Sequence, residues 1–379
     1  MKYKIIHIHT DQKFIDGSKI FEGDNFVNEI IVFGKESNYD GIYKDSVKIY
    51  RYSKNDINKV IKFCNTADIV VMWDLNFVKC YIANRISINV SVIWRFFGLE
   101  LYSKIPEYVF SSLTLKVKEN ENIRKPFMES IKRMTSKIKQ FIIYQSSFEN
   151  EFEKAIKRIN FFQGLSDVEY SFLKKKWPEL PRFLQNPYSQ IIKCNKSIQS
   201  KTNKIVIGNN RSAYNNHLDI LNIINQSNNK TNFDFILLFN YGQNNKYAEI
   251  VRKTADDISN IKIIEDFLPF NEYREFYSKV CALVLNGHRQ MAMANIFEAL
   301  RYNVKVYLSE KNVILDWLRK EGFLVFTIDD FVADLETNNI NLTESERQHN
   351  IKQLYVFRNK YSIEEFQKTL LKIVAKTDY

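Results

Sequence analysis

Short β-rich runs alternate with helical patterns along the whole chain, and this alternation is the feature that most constrains the fold. In the first half, the candidate strands are Lys4–Ile8, Glu29–Phe33, Val47–Tyr50, Ile69–Trp73, Val90–Phe97 and Phe141–Tyr144. In the second half, they are Lys204–Ile207, Phe233–Phe239, Ile261–Glu265, Ala282–Leu285, Val304–Leu308 and Phe323–Ile328. Strands that alternate with helices form parallel sheets, so the pattern predicts two Rossmann-like α/β domains in tandem.

An irregular stretch separates the two halves. Three of the six prolines lie in or just before it, at Pro178, Pro181 and Pro187. Because proline ends regular structure, we place the linker at residues 187–203. The predicted domains are therefore residues 1–190 and 200–358.

The last segment, residues 359–379, contains a helix signal. Ser362 and Glu365 have the spacing of a capping box, in which each side chain accepts a backbone N–H at the start of a helix. Apolar residues follow at helical spacing: Ile363, Phe366, Leu370, Ile373 and Val374. This pattern predicts a final helix whose apolar stripe packs against another element.

The chain is basic, with 55 Lys and Arg against 44 Asp and Glu and a formal net charge of +11. Such a charge favours an anionic partner, which is nucleic acid, a membrane surface or a phosphorylated substrate. A compositional bias explains the charge equally well. The segment 116–139 has eight basic and three acidic residues. It fits an amphipathic helix on an anionic leaflet, or a solvated helix that packs on its own domain.

The four cysteines, Cys64, Cys80, Cys194 and Cys281, are far apart and have no histidine at metal-ligand spacing. They indicate reduced cytosolic thiols, and neither a disulfide framework nor a zinc site. No run approaches the roughly 18 apolar residues of a membrane span. The first residues lack the apolar core of a signal peptide, so we expect a cytoplasmic protein.

Polar loops rich in amides and glycine follow the candidate strands of the second half, at 208–217, 240–242 and 286–290. The carboxyl ends of parallel strands meet at one edge of a sheet, where ligands bind. Glycine permits tight turns and close approach to a ligand, and amides donate to phosphates, so this edge predicts a nucleotide site. The sequence has neither a GxGxxG nor a P-loop motif, which disfavours a dehydrogenase or a P-loop kinase. No Asp-x-Asp follows a strand to hold a metal.

Titratable side chains also lie at strand ends. Four of the five histidines lie in or just after candidate strands, at His7, His9, His217 and His288, and we expect one or two to be functional. Arg289 would suit a pyrophosphate through charge-assisted hydrogen bonds, or is a surface arginine. Asp11 and Glu100 follow strands of the first half, and either could act as a general base. The structural alternatives are a helix N-cap for Asp11 and a surface acid for Glu100.

Six segments lie in an order that matches one family. They are His7–Asp11, Phe96–Tyr102, Gly208–His217, Tyr241–Gly242, Phe267–Tyr273 and Arg289–Ile296. Together they resemble the TDP-N-acetylfucosamine:lipid II N-acetylfucosaminyltransferases, glycosyltransferase family 56. The last segment is similar to the R-Q-Q-A-[ML]-G-N-I run of that family. The sequence departs from the family pattern at Phe97, Glu100, Met291 and Ala294.

The resemblance implies a GT-B fold, in which two Rossmann-like domains face a central cleft and a C-terminal helix returns to the first domain. It implies that the second domain binds a TDP-sugar donor, without a metal ion or another cofactor. The donor-binding residues expected from the loops and the resemblance are Gly208, Asn209, Asn216, His217, Tyr241, Gly242, His288, Arg289, Gln290 and Asn295. The expected catalytic residues of the first domain are Glu100, Asp11 and His9.

We therefore expect a glycosyltransferase that moves a Fuc4NAc-like 6-deoxy-amino sugar from TDP to a polyprenyl-pyrophosphate-linked glycan. The reaction would serve bacterial surface polysaccharides such as enterobacterial common antigen or O-antigen, at the inner face of the cell membrane and without nucleic acid. Within the same fold, another nucleotide-sugar donor or an epimerase stays open. A non-catalytic basic protein is the alternative of another class, and it predicts salt-sensitive binding to nucleic acid or membranes.

Overall fold

The computed structural model describes residues 2–34, 39–123, 135, 138, 140–188, 202–266 and 269–376. The chain divides into two compact units. The first unit comprises Met1–Glu100, Pro126–Ser189 and Lys360–Tyr379, and the second unit comprises Leu101–Lys125 and Gln190–Asn359. Residues 101–125, which the sequence analysis assigns to the first domain, group with the second unit because the Ser112–Ile123 helix packs on other helices of that unit.

The first unit is built on a seven-stranded parallel sheet. Its strands are β1 (Tyr3–His9), β2 (Phe26–Phe33), β3 (Val47–Tyr50), β4 (Ile69–Trp73), β5 (Ser91–Arg95), β6 (Phe161–Gly164) and β7 (Arg182–Gln185). They lie in the order β3-β2-β1-β4-β5-β6-β7. The order runs outward from β1 and β4, as in doubly wound sheets, so the carboxyl ends of these two strands flank the topological switch point.

The two central strands of this sheet are apolar because both of their faces are covered. Strand β4 is buried at every position, and β1 is buried from Ile5 to His9. His7 is hydrogen-bonded through both ring nitrogens: Nε2 donates to Asn28 Oδ1 at 2.8 Å, and Nδ1 accepts from Trp73 Nε1 at 3.1 Å. That pattern requires the neutral imidazole. Burial lowers the pKa of His7 to about 4, in agreement with that pattern.

The first sheet differs from the sequence analysis in two ways. The predicted strand Phe141–Tyr144 is wrong, because these residues are helical. A short apolar run does not distinguish a strand from a helix, and here three consecutive apolar side chains are exposed. The sequence analysis also misses β6 and β7. Each has only four residues, β6 ends in Gly164, and β7 directly follows Pro181.

The second unit contains a six-stranded parallel sheet, and all six predicted strands are confirmed. The strands are β8 (Lys204–Ile207), β9 (Asp234–Leu238), β10 (Ile261–Ile264), β11 (Ala282–Leu285), β12 (Lys305–Leu308) and β13 (Phe326–Thr327). They lie in the order β10-β9-β8-β11-β12-β13, which repeats the doubly wound pattern. The carboxyl ends of β8 and β11 therefore flank the switch point of this sheet.

Helices connect the strands, and many begin at a polar residue that accepts an N–H of the first turn, as Ser53 does for the first of them. Besides the helical residues 140–144, the α-helices in the described part of the chain are Lys54–Cys64, Phe77–Ala83, Leu99–Tyr102, Pro106–Val109, Ser112–Ile123, Phe148–Arg158, Asp167–Lys176, His217–Gln226, Lys246–Asp256, Phe270–Tyr277, Met293–Arg301, Val313–Lys320, Ile328–Thr337, Glu344–Lys360 and Ile363–Val374. The 3₁₀-helices are Gln12–Phe21, Ala213–Asn215 and Lys230–Asn232.

The Ile363–Val374 helix belongs to the first unit, as the returning helix of the sequence analysis does. Ser362 caps it by accepting from the Glu365 N–H at 3.3 Å. Its buried side chains Phe366, Leu370 and Ile373 join the apolar cluster around β1 and β4. The ring of Phe366 meets Phe21 edge to face, with centroids 5.1 Å apart. Burying an apolar side chain of this size stabilises a fold by roughly 2–3 kcal/mol, so the contact anchors the helix.

Two further expectations concern membrane-spanning segments and the cysteines. In the part of the chain that the structure describes, no helix combines the length and the apolar character that a membrane span needs. Cys64, Cys80 and Cys281 are buried thiols that form no disulfide within the described residues. Cys194 and most of the basic segment 116–139 beyond residue 123 lie outside the described residues.

Candidate functional site

The loops at the switch point of the second sheet contain most of the predicted donor-binding residues. Strand β8 runs into the loop 208–216, and β11 runs into the loop 286–292 and then the Met293–Arg301 helix. The carboxyl ends of strands that flank a switch point form the usual ligand crevice of a doubly wound sheet. The topology therefore brings these predicted residues to one edge of one sheet.

Two of the predicted glycines occupy backbone positions that other residues tolerate poorly. Gly208 has a φ of +64°, and a Cβ there would lie 2.7 Å from Nε2 of His217. Gly242 has a φ of +110°, and its Cβ would lie 2.9 Å from Cγ of Arg211. Both glycines therefore allow the loops to pack closely at the ends of β8 and β9.

Asn209 and Tyr241 connect the loops that follow β8 and β9. Asn209 Nδ2 donates to the Tyr241 hydroxyl at 3.0 Å, and Arg211 Nε donates to the Phe239 carbonyl at 2.9 Å. The amide oxygen of Asn209 is buried without a hydrogen-bond partner within the described residues. Tyr241 is 51% exposed. A ligand at this edge could therefore donate to Asn209 and stack on Tyr241.

Asn216 holds loops of the second unit together. It is fully buried and adopts the left-handed conformation, with a φ of 49°. Its Nδ2 donates to the carbonyls of Val109 and Asn286, both at 3.1 Å. Its Oδ1 accepts from the Ser111 N–H at 2.9 Å. Because both amide hydrogens are used inside the protein, Asn216 shapes the site by positioning its neighbours.

His217 is fully buried beside the ring of Phe239. Its backbone N–H donates to the Tyr247 hydroxyl at 2.9 Å, and its Nδ1 lies 3.3 Å from the same oxygen. Burial lowers the pKa of His217 to about 3. The imidazole is therefore neutral at neutral pH and cannot supply positive charge to a diphosphate.

His288 is also buried, and burial lowers its pKa. Its Nδ1 lies 2.9 Å from the Tyr108 carbonyl oxygen, so Nδ1 carries the hydrogen and donates. In the neutral ring, Nε2 is then the acceptor. His288 can therefore accept a hydrogen bond from a ligand, whereas a cationic role is disfavoured.

Arg289 is the cation of this loop. Its guanidinium lies over the ring of Tyr214, 4.6 Å from the centroid, and Nη1 donates to the Gln290 carbonyl at 3.0 Å. Both Arg289 and Gln290 are half-buried. The contacts with the ring and the carbonyl hold the arginine in place, so an anion that binds it costs little side-chain entropy.

The Met293–Arg301 helix begins directly after this arginine loop. Ala292 precedes it with a φ of 56°, and no side chain caps the first turn. The first amides of such a helix have no intrahelical partner and attract anions. Asn295, in the first turn, donates from Nδ2 to the Tyr277 hydroxyl at 3.0 Å and is buried. The edge thus combines uncapped amides with the guanidinium of Arg289.

In the first unit, the predicted catalytic residue His9 is fully buried. Its Nε2 lies 3.1 Å from the Ser18 hydroxyl, and its ring stacks on Trp73 with centroids 4.7 Å apart. Its Nδ1 has no hydrogen-bond partner within the described residues. Burial, His7 and Lys79 together hold the pKa of His9 well below its usual range, so the ring is neutral.

The two predicted carboxylates lie in different surroundings. Asp11 is exposed, caps the 3₁₀-helix by accepting from the Lys13 N–H at 3.1 Å, and pairs with Lys13 Nζ at 3.1 Å. Glu100 accepts from Trp94 Nε1 at 3.2 Å and from the Phe97 N–H at 3.4 Å. Its Oε2 is buried without a partner in the described part of the chain, and burial raises its pKa. Glu100 is therefore the better placed of the two to hold a proton.

A polar cluster at the switch point of the first sheet is missing from the sequence analysis. Lys79 is fully buried, and its Nζ donates to Thr10 Oγ1 at 2.9 Å, to Asp74 Oδ1 at 2.7 Å and to the Trp73 carbonyl. The signal in the sequence is one lysine in an otherwise apolar segment, Phe77–Ala83, all of which is buried. A buried ammonium requires a partner, and Asp74 directly follows the apolar strand β4.

Neither the cavity of the second unit nor a cluster of metal-ligating side chains coincides with the predicted sites. A cavity of about 480 Å³ lies in the second unit near the amino ends of β8, β9 and β10, and no predicted donor-binding residue lines it. Within the described ranges, no group of three or more His, Cys, Asp and Glu side chains is placed to hold a metal ion.

No protein-family model matches the sequence, and a comparison with curated proteins finds no significant match. Solved structures do share the fold. The crystal structure of HepE from Anabaena with UDP and glucose has a TM-score of 0.65 and 10% identity, over 99% of this chain and 100% of that chain. The N-terminal domain of Candida albicans trehalose-6-phosphate phosphatase has a TM-score of 0.63 and 9% identity, over 99% and 97%.

A third structure is the pneumococcal O-GlcNAc transferase GtfA in complex with UDP and GlcNAc. Its TM-score is 0.60 at 8% identity, over 99% of each chain. Together with the two doubly wound sheets, these similarities confirm the GT-B fold that the sequence analysis expects. At such low identity they show the fold alone, and the resemblance to family 56 stays a prediction.

Proposed function

We propose that this protein is a glycosyltransferase that binds a nucleoside-diphosphate sugar at the carboxyl edge of the second sheet. The observation that carries the proposal is the uncapped start of the Met293–Arg301 helix directly after Arg289. Free helix amides and a positioned arginine are the donors that a diphosphate requires. The bound UDP in the structures of HepE and GtfA supports the same ligand class.

In this proposal, the residues at the edge stabilise the leaving diphosphate as the bond from the sugar to phosphate breaks. Arg289 supplies positive charge, and the amides of the helix supply oriented dipoles. His288 acts as a neutral hydrogen-bonding group, because burial lowers its pKa. Asn209, Tyr241 and Gln290 contact the nucleotide or the sugar, whereas Asn216 and His217 hold the loops in place.

The test is a thermal-shift panel of TDP, UDP, GDP and CMP. A nucleotide that binds the folded state raises the melting temperature, and the gain in stability grows with the logarithm of its concentration over Kd. We expect TDP to give the largest shift, and Arg289→Ala to abolish it. Arg358→Ala, which removes an exposed arginine of the same unit, is the matched control and should keep the shift. If no nucleotide stabilises the protein, the proposal fails, and a preference for UDP or GDP contradicts the TDP donor.

The proposed donor sugar is Fuc4NAc-like, and the proposed acceptor is a polyprenyl-pyrophosphate-linked glycan used in bacterial surface-polysaccharide synthesis. Support for the membrane contact comes from Phe141, Ile142 and Ile143, which are 55%, 69% and 50% exposed. These residues follow the basic segment 116–139 in the sequence. Apolar side chains beside basic residues favour the surface of an anionic leaflet, so we propose a peripheral protein at the cytoplasmic face.

Vesicle sedimentation tests this membrane contact. We expect binding to vesicles that contain phosphatidylglycerol and weaker binding to pure phosphatidylcholine. Ile142→Asp should reduce binding several-fold. Ile88→Asp is the matched control, because Ile88 is 76% exposed elsewhere in the same unit. Equal binding of the two variants would contradict the proposed contact surface.

The proposed transfer requires neither a metal ion nor another cofactor. The side chains at the donor edge include Arg289 and several amides, which can bind a diphosphate directly. We propose that Glu100 or Asp11 accepts the proton of the acceptor hydroxyl. The assay is transfer of labelled sugar from the preferred donor into the lipid fraction of bacterial membranes. EDTA should leave the rate unchanged, and at least one of Glu100→Gln and Asp11→Asn should lower it about a hundredfold or more.

A further inference from the structure

The switch point of the first sheet brings together one hydroxyl and one carboxylate. Strands β1 and β4 are hydrogen-bonded neighbours, and the residues that directly follow them are Thr10 and Asp74. Thr10 Oγ1 lies 3.5 Å from Asp74 Oδ2. Asp74 has a φ of +68°, a left-handed conformation that costs a residue with a side chain about 1–2 kcal/mol. The position of this carboxylate therefore lowers the stability of the fold.

Lys79 fixes both side chains and takes no further part in binding. An ammonium group has three hydrogens. The three hydrogen bonds of Lys79 go to Thr10 Oγ1, Asp74 Oδ1 and the Trp73 carbonyl. Burial lowers the pKa of Lys79, whereas the charge of Asp74 opposes that shift. The pair is therefore electrically neutral as a unit.

The hydrogen bonds around Thr10 define the direction of its own O–H. A hydroxyl oxygen accepts two hydrogen bonds and donates one. Thr10 Oγ1 accepts from Lys79 Nζ at 2.9 Å and from Asn76 Nδ2 at 3.3 Å. The Thr10 hydrogen must therefore donate, and the nearby acceptor is Asp74 Oδ2 at 3.5 Å. Hydrogen bonds between oxygens are typically about 2.8 Å long, so this one is weak.

A single oxygen about 2.8 Å from both Thr10 Oγ1 and Asp74 Oδ2 would form stronger hydrogen bonds with them than they form with each other. That oxygen must accept from Thr10 and donate to Asp74 Oδ2, which a ligand hydroxyl group can do in place of a water molecule. Asp74 is 28% exposed, so a ligand can reach it. The carboxylate repels phosphates, and the neutrality of the pair with Lys79 gives no attraction for a cation.

We propose that Thr10 and Asp74 form a binding site for a hydroxyl group of the sugar acceptor, held in position by Lys79. This inference rests on the proposed glycosyltransferase function, because it names where the acceptor of that reaction binds. The chemical class of the ligand is an uncharged sugar hydroxyl.

Two buried polar atoms nearby support a ligand site. Nδ1 of His9 and Oε2 of Glu100 have no hydrogen-bond partner within the described residues. Burial is the main cause that lowers the pKa of His9 and raises the pKa of Glu100; Lys79 adds to the first shift and Asp74 adds to the second, so the four groups share one electrostatic neighbourhood. Further hydroxyls of a sugar could bond to these atoms.

The experiment is ligand-observed saturation-transfer NMR with three free sugars, N-acetylglucosamine, N-acetylmannosamine and glucose. We expect saturation transfer from the wild-type protein to at least one of them. Thr10→Val keeps the shape and removes the hydroxyl, and we expect affinity to fall about tenfold, as for a lost hydrogen-bond pair. Asp74→Asn should have a similar effect. Thr10→Ser restores the hydroxyl and should restore binding.

Asp24→Asn is the matched control, because Asp24 is an exposed carboxylate of the same unit with no role in the proposed sites. It should bind the sugar as the wild type does. If Asp74→Asn fails to fold, the pair Thr10→Val and Thr10→Ser still decides the outcome. Equal affinity of these two variants, or no saturation transfer from the wild type to any of the three sugars, overturns the proposal.

The nucleotide panel on the same samples separates this proposal from the proposed function. If Thr10→Val loses the sugar and keeps the nucleotide shift, both proposals are supported. If the wild type binds a sugar through Thr10 but binds no nucleotide, the hydroxyl site stands and the transferase proposal fails. If nucleotides bind and Thr10→Val has no effect on sugar binding, only the hydroxyl site fails.

Discussion

The two switch points have the same strand topology and opposite chemistry. At the end of β1 and β4, the first unit buries an ammonium, Lys79, against a carboxylate, Asp74. At the end of β8 and β11, the second unit places glycine, amides, an uncapped helix and Arg289. The first arrangement is neutral and rich in hydrogen-bond acceptors, whereas the second is positive and rich in donors.

The difference shows that strand order selects where a ligand binds, and that the residues after each strand select which ligand binds. A neutral acceptor-rich edge suits hydroxyl groups, and a positive donor-rich edge suits a diphosphate. Under the proposed function, the first edge would bind the sugar acceptor and the second edge would bind the nucleotide-sugar donor.

The largest expected effect tests whether the two units act independently. Phe366→Ala removes a buried ring from the apolar cluster of the first unit. We expect it to lower the free energy of unfolding by about 4 kcal/mol, measured by urea denaturation. The variant should still show the nucleotide-induced rise in melting temperature, because the donor edge belongs to the second unit. Loss of that shift in the folded variant would contradict the division.

The buried ion pair gives the next effect. Asp74→Ala leaves the buried Lys79 ammonium without its counter-charge, so we expect a loss of about 3 kcal/mol in urea unfolding. Lys79→Met replaces the ammonium with an apolar side chain of similar length and should cost less. Asp24→Ala, at an exposed carboxylate of the same unit, should stay within about 0.5 kcal/mol of the wild type. If Asp74→Ala leaves the free energy of unfolding almost unchanged, the charge pair at the first edge does not stabilise the fold.

Gly208→Ala tests the donor edge in the same way. The left-handed backbone and the contact with His217 should together cost about 2 kcal/mol and reduce the nucleotide shift. Gly23→Ala is the control, because its Cβ meets only the flexible side chain of Gln367. If the two variants are equally stable and bind equally, the close packing of the 208–216 loop has no role.

The pH dependence of the free energy of unfolding should reveal the lowered pKa of His217. The unfolded chain takes up a proton below about pH 6.5, whereas burial lowers the pKa of folded His217 to about 3. Stability therefore falls as pH falls through this window, by up to about 1.4 kcal/mol per pH unit. His217→Gln should flatten this slope in urea unfolding at pH 7, 6 and 5. An unchanged slope would mean that His217 titrates alike in both states.

The contribution of Glu100 to the pH dependence of stability should have the opposite sign, and we expect it to be the smallest of these effects. Burial raises its pKa above the ordinary value of 4.5, so the folded state holds a proton that the unfolded state has lost. This contribution favours folding at low pH and is lost as pH rises above 4.5. Glu100→Gln should gain stability relative to the wild type as pH increases from 4.5 to 7. A constant difference over that range would contradict the raised pKa.

The sequence predicts the second unit better than the first. All six strands of the second sheet are apolar runs bounded by polar loops, and the pattern locates each of them. In the first unit, Phe161–Gly164 and Arg182–Gln185 are too short to show a period, and Phe141–Tyr144 is apolar without being buried. Pattern alone identifies apolar runs, and only the packing decides whether such a run lies inside a sheet.

The same limit explains the candidate sites. The donor loops could be predicted because their glycines and amides lie together in the sequence. The contacts of Lys79 with Thr10 connect residues that are 69 positions apart, which no local pattern reveals. The sequence points to Asp11 and gives no sign of Asp74, but in the structure Asp11 caps a 3₁₀-helix at the surface.

The position of the Ile363–Val374 helix has a consequence for synthesis on the ribosome. The core around β1 and β4 includes Phe366 and Leu370, which are translated after the whole second unit. The first unit to emerge therefore cannot complete its core until the second unit has left the exit tunnel. During that interval, the incomplete apolar cluster is exposed to chaperones and proteases, whereas the second unit can already fold.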